Sequence, residues 1–96
     1  MRFMLQVEID TPTGNKLVSE GKIGQTIERV VGNAQPEVAY FYERSGRRAF
    51  TLVVDVADTT YLPALLEPMW VELGATVEAI PVMSTDELQV ALSRLG

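Results

Sequence analysis

Val38-Ala39-Tyr40-Phe41-Tyr42-Glu43, the turn Arg44-Ser45-Gly46-Arg47, and Arg48-Ala49-Phe50-Thr51-Leu52-Val53-Val54-Asp55-Val56 decide the fold. Aromatic and β-branched residues on both sides of a glycine-containing loop predict a β-hairpin. The second arm is apolar on both faces apart from Thr51 and Asp55, the pattern of a central strand covered on each side. Asp58-Thr59-Thr60 follows as a helix start. Leu62, Leu65, Leu66, Met69, Trp70 and Leu73 then recur at helical spacing and predict an inward stripe. Pro63 suits the first turn of that helix, Pro68 falls inside it and Gly74 ends it. Residues 75–83 return as a strand in which Pro81 implies an edge position or a bulge.

Outward from this centre, residues 2–9 alternate strictly, with Phe3, Leu5, Val7 and Ile9 opposite Arg2, Met4, Gln6 and Glu8, and predict a half-buried strand. Residues 10–15 read as turn chemistry. Residues 16–31 read as a helix through Ile23, Ile27, Val30 and Val31, although Gly21 and Gly24 each cost about 1 kcal/mol relative to alanine. Near the other end, Ser84 and Glu87 form a capping-box pattern, with Met83 and Leu88 placed as a hydrophobic staple. Leu88, Ala91, Leu92 and Leu95 mark one side of the helix that follows.

The order β-α-β-β-α-β-α predicts one α+β domain over residues 1–96, a ferredoxin-like split β-α-β with a four-stranded antiparallel sheet and a C-terminal helix. Its helix-free face must carry either Tyr40 and Tyr42 or Phe41, and an apolar face of that kind calls for a second subunit. A homodimer packed sheet against sheet is expected, with the last helix either extending the helical layer or reaching across to the partner.

Composition narrows the chemistry. The chain has 96 residues, 47% hydrophobic and 22% charged, ordinary globular values. A net charge of −5 disfavours nucleic acid and anionic lipid as partners. The absence of cysteine and histidine removes thiol nucleophiles, thiolate and imidazole metal ligands and the commonest general base. The first ten residues do not resemble a signal peptide and no run approaches the ~20 apolar residues of a membrane span, so no membrane partner and a cytoplasmic location are expected. Glu8, Asp10, Asp55, Asp58 and Glu78 match no recognised metal-binding loop, and neither metal nor cofactor is expected. Gly21-Lys22-Ile23-Gly24 matches a G-x-x-G loop of RNA-binding domains, but over four residues in an acidic chain.

Pro36-Glu37-x-x-Tyr40-Phe41, Gly46-x-Arg48, Val53-Val54-Asp55-Val56, Glu67-Pro68 and Val82-Met83 ahead of Asp86-Glu87-Leu88 resemble a family of small bacterial proteins of unknown function. By fold that family is similar to the dimeric α+β barrels, which include muconolactone isomerase-like and antibiotic-biosynthesis monooxygenase-like proteins. The resemblance implies the fold and the dimer and no particular activity. Where members read Glu-Pro-Trp-Phe, this chain reads Glu67-Pro68-Met69-Trp70.

Four places can carry chemistry, each with a plainer alternative. An unbroken helix over 16–31 would set Glu20 beside Ile23, Ile27 and Val31, desolvated and fit for proton transfer; a break at Gly21 would leave it in water. Tyr40, Tyr42 and Trp70 would line an aromatic slot between sheet and helices that binds a small apolar or aromatic molecule, or else serve as core and interface aromatics. Arg48 belongs to that ligand-binding set, and with Arg44 and Arg47 it forms either an anion clamp or a solvated loop paired with acids. The functional expectation is a dimeric small-molecule binder of unknown role. The alternatives are a cofactor-free isomerase or monooxygenase using Glu20 or a tyrosine, and a structural interaction module.

Overall fold

A computed structural model describes residues 1–96. Its sheet has the strand order β2-β3-β1-β4, with every neighbouring pair antiparallel. The strands are β1 (Arg2–Glu8), β2 (Val38–Arg44), β3 (Arg47–Asp55) and β4 (Thr76–Val82); the helices are α1 (Thr11–Ser19), α2 (Ile23–Ala34), α3 (Leu62–Leu73) and α4 (Thr85–Ser93). One 3-10 turn, Thr59–Tyr61, leads into α3. No helix is long and apolar enough to cross a membrane.

Alternation in β1 does what its period of two requires. Phe3, Leu5, Val7 and Ile9 are buried and meet Phe50, Leu52 and Val54 of β3 on the same face, under Val30 and Ala34 of α2 and Met69 and Leu73 of α3. Twelve buried residues make this one core. The opposite face carries no helix. Thus β3, expected to be covered on both sides, is covered on one, and Thr51 and Val53 remain half-buried. The edge strands are β2 and β4, which explains the tolerance for Pro81, whose missing N–H breaks no ladder in an edge strand.

Two readings of the N-terminal half are corrected. The expected turn over residues 10–15 is the start of α1: the Asp10 carboxylate accepts from the Thr13 backbone N–H at 3.1 Å and from its hydroxyl at 2.7 Å, and Pro12 sits in the first turn, where it costs no hydrogen bond. The single helix over 16–31 is instead two helices, because Gly21 adopts φ +68°, which a right-handed helix cannot contain. The Lys22 N–H then turns back to the Leu17 carbonyl at 2.8 Å, and α2 starts afresh.

The hairpin turn is tighter than its four-residue reading. Arg44 pairs with Arg47, leaving Ser45 at φ +53° and Gly46 at φ +79°, both positive as a two-residue turn of the I′ type demands. The Glu43 carboxylate accepts from the Gly46 N–H at 2.9 Å and holds the turn. At the C-terminal end the capping box forms as expected: Ser84 Oγ accepts from Glu87 N–H at 3.2 Å, and Glu87 Oε1 accepts from Ser84 N–H at 2.8 Å. No residue of α4 is buried, so this helix does not extend the helical layer.

Candidate functional site: the uncovered face of the sheet

The strand register lays out the helix-free face in rows. Val38, Val53, Met4 and Ile80 stand side by side across all four strands and form an apolar row. The next row is Tyr40, Thr51, Gln6 and Glu78, and the third Tyr42, Ala49, Glu8 and Thr76. The face therefore runs from apolar to polar along the strands, with its aromatics on the β2 side. Tyr40 is 68% exposed and Tyr42 39%. The Tyr42 hydroxyl is bonded to Thr51 Oγ1 at 2.6 Å, which fixes that ring over β3.

Each end of the face is ionic. Arg2 bonds Glu37 at 2.9 Å, lies 3.7 Å from Asp55 and pairs with Glu87 at the start of α4. The hydrogen bond to Glu37 is the main reason that the Arg2 pKa is raised. At the far end Glu8 lies 3.5 Å from Arg44 and 3.7 Å from Arg47, beside a groove of about 160 Å³ lined by Gln6, Glu8, Arg44, Thr76 and Glu78. That volume is below the ~300 Å³ at which small-molecule pockets begin. A second, more open groove follows one stripe of α4 along Met83, Glu87, Val90, Ala91 and Arg94. Neither groove lies between sheet and helices, where the core is filled.

The expected site residues do not converge. Glu20 is exposed just after α1, because the break at Gly21 takes it off the inward face. Tyr40 and Tyr42 are on the helix-free face, one residue out of phase with Phe41, which tilts against Phe50 at 5.8 Å on the other side. Trp70 is 43% exposed rather than inward, since 100° per residue sets it ~80° round from Leu62 while Met69, nearer the centre of the stripe, takes the core position. Arg48 points to the helical side, where it donates to Asn15 Oδ1 at 3.1 Å over the buried Gly14, and so ties α1 to β3. The three arginines of the turn are thereby divided: Arg48 serves packing, and Arg44 and Arg47 neutralise Glu8. No group of three or more acidic side chains is placed to hold a metal ion.

What the single-residue reading missed is the apolar row itself. It was available in principle, because Val38, Val53, Met4 and Ile80 all fall out of phase with the core residues of their strands, but aligning them needs the register. No protein-family model matches the chain, and no curated protein matches it.

Proposed function

We propose that this chain is a self-associating module: a ferredoxin-like domain that forms a homodimer by packing its open sheet face against that of a second copy, as in a dimeric α+β barrel. The observation that carries this reading is the apolar row Val38, Val53, Met4 and Ile80, which a single chain leaves without a covering layer, half-buried at Met4, Val53 and Ile80 and exposed at Val38, next to the exposed Tyr40 and Tyr42. The strand order β2-β3-β1-β4 supports the ferredoxin-like assignment, since two right-handed crossovers around a hairpin generate it. The resemblance to the barrel family points the same way.

A second reading places a small apolar or aromatic molecule on this face, held between the two sheets by Tyr40 and Tyr42. The exposed tyrosines, with Thr51 beside Tyr40 and the apolar row next to them, favour it, a site of few polar groups on an apolar floor. An isomerase or monooxygenase built on Glu20 has no comparable support, because Glu20, the tyrosines and Trp70 lie on separate surfaces.

Sedimentation of the purified chain, with native mass spectrometry beside it, tests both readings. A dimer free of added mass is the result expected of the module, and a dimer carrying non-covalent mass that is lost in Tyr40→Ala is the result expected of the binder. A monomer at micromolar concentration overturns both.

A further inference from the structure

The chain carries more surface than its size requires, and α4 contributes to the excess with no buried residue of its own. Its accessible surface is 6155 Å², about 690 Å² above the ~5,470 Å² of a compact monomer of this mass. Its radius of gyration is 15.2 Å against ~12.5 Å for a compact domain of this length. The longest dimension is 56 Å, whereas a seven- to nine-residue strand spans only ~23–30 Å. The nine residues of α4 add ~13.5 Å as an arm. Along that arm Leu88, Val90, Leu92 and Leu95 are 43, 54, 53 and 82% exposed. The excess area is close to the ~800 Å² that each partner contributes to a standard stable interface.

A second uncovered surface lies at the opposite edge. Strand β2 exposes Tyr40 on one face and Phe41, 58% exposed, on the other. An edge strand with unpaired backbone groups and aromatics on both faces is an association hazard unless something covers it. The arm leaves from β4, at the other edge of the same sheet, with β1 and β3 between that strand and β2; its root is tied through Arg2 to Glu37 of its own chain, while its apolar residues from Leu88 onward stay uncovered.

We propose that α4 is an exchange arm, whose apolar face packs on the start of strand β2 of a second copy. This rests on the sheet-to-sheet dimer proposed above and fixes how its two sheets are oriented. A two-fold axis running along the strands lays β4 of one copy over β2 of the other and keeps each row opposite itself. Val38, Val53, Met4 and Ile80 then meet the same apolar row, Glu78 meets Tyr40 and Glu8 meets Ala49. An axis across the strands through the middle row would set Glu78 against Glu78 and the apolar row against Glu8 and Thr76. Like charges held face to face are unfavourable, so the first arrangement stands. In it the end of β4 emerges beside the partner's Val38, because Val82 and Val38 lie at the same end of the sheet. The Arg2–Glu87 ion pair and the capping box hold the root of α4 at that end.

The test is photo-crosslinking of the full chain with p-benzoylphenylalanine in place of Leu92, mixed with ¹⁵N-labelled unmodified chain and mapped by mass spectrometry, with sedimentation run on the same mixture. The expected product joins position 92 to residues 36–44 of the labelled chain. A dimer whose crosslinks stay within one chain or land elsewhere overturns the arm and leaves the sheet-to-sheet dimer standing. A monomer overturns both. As an independent variant, Leu88→Glu with Leu92→Glu alters only exposed positions; it should raise the dimer dissociation constant at least 100-fold with the circular dichroism spectrum unchanged, and an unaltered constant overturns the arm.

Discussion

Val53 and Val54 are neighbours in β3 that face opposite ways: Val54 is 1% exposed among Phe3 and the helices, while Val53 stands half-buried in the apolar row of the uncovered face. The same substitution should therefore have two different outcomes. Val54→Asp places an unpaired carboxylate in the core and should cost more than about 4 kcal/mol, enough to abolish the native spectrum. Val53→Asp should keep the spectrum and melt within about 1 kcal/mol of the parent monomer, while sedimentation reports loss of the dimer. If Val53→Asp sediments like the parent, the face is not an interface.

Met69 and Trp70 should reverse the order expected from side-chain size. Met69 is fully buried, and Met69→Ala should cost about 3 kcal/mol in transfer and cavity terms. Trp70 keeps 43% of its surface in water, so Trp70→Ala should cost about half of the 3–5 kcal/mol of a buried tryptophan. Urea midpoints at constant m-value measure both. A larger loss for Trp70 would mean that the ring is covered in solution.

Much of this architecture was legible because each element states its period locally. The alternation from Phe3 to Ile9 and the Ser84–Glu87 box form as read, and the hairpin around Gly46 forms with a tighter turn, since each depends on contacts within a few residues or on one face. Legibility failed where two local signals competed. Ile23, Ile27 and Val31 keep a helical spacing that, run back over Gly21, would carry Glu20 onto the inward face; the backbone uses that glycine at positive φ, so of the two alternatives for Glu20 it is the break that holds. Trp70 fits a stripe by spacing, but at its margin, and competition with Met69 for the core is invisible in spacing alone. The candidate face depends on register between four strands, a long-range property, so the sequence identified its tyrosines but left open which side of the sheet they take.

Gly21 and Gly74 both adopt positive φ but should respond differently to alanine. At Gly21 (φ +68°) an added Cβ meets nothing within 4 Å, so Gly21→Ala should cost only the ~1–2 kcal/mol of a left-handed residue. At Gly74 (φ +55°) the Cβ would lie 3.0 Å from Thr13 Oγ1 and 3.1 Å from Asp10 Cβ, against the cap of α1. Gly74→Ala should add to the same strain the loss of that cap, about 1 kcal/mol more. Equal urea midpoints for the two variants would show that the cap does not depend on this close approach.

Acid should loosen the helix starts before it reaches the core. The Asp10 carboxyl is held below its ordinary range by hydrogen bonds from the Thr13 hydroxyl and N–H, Asp58 likewise by Thr60, and Glu87 first by the Ser84 N–H and then by the Ser84 side chain. A carboxylate with a depressed folded pKa contributes stability that is fully present above its unfolded value, about 3.9 for Asp and 4.3 for Glu, and lost as pH falls through the folded one. Stability should thus be flat near neutrality and decline from about pH 5 downward. At α4 the cause can be isolated, because Glu87→Gln retains an acceptor for the Ser84 N–H but cannot titrate. The Ser84 amide resonance should shift on acidification in the parent chain and stay nearly fixed in Glu87→Gln; parallel titration in both would assign the acid response to another group.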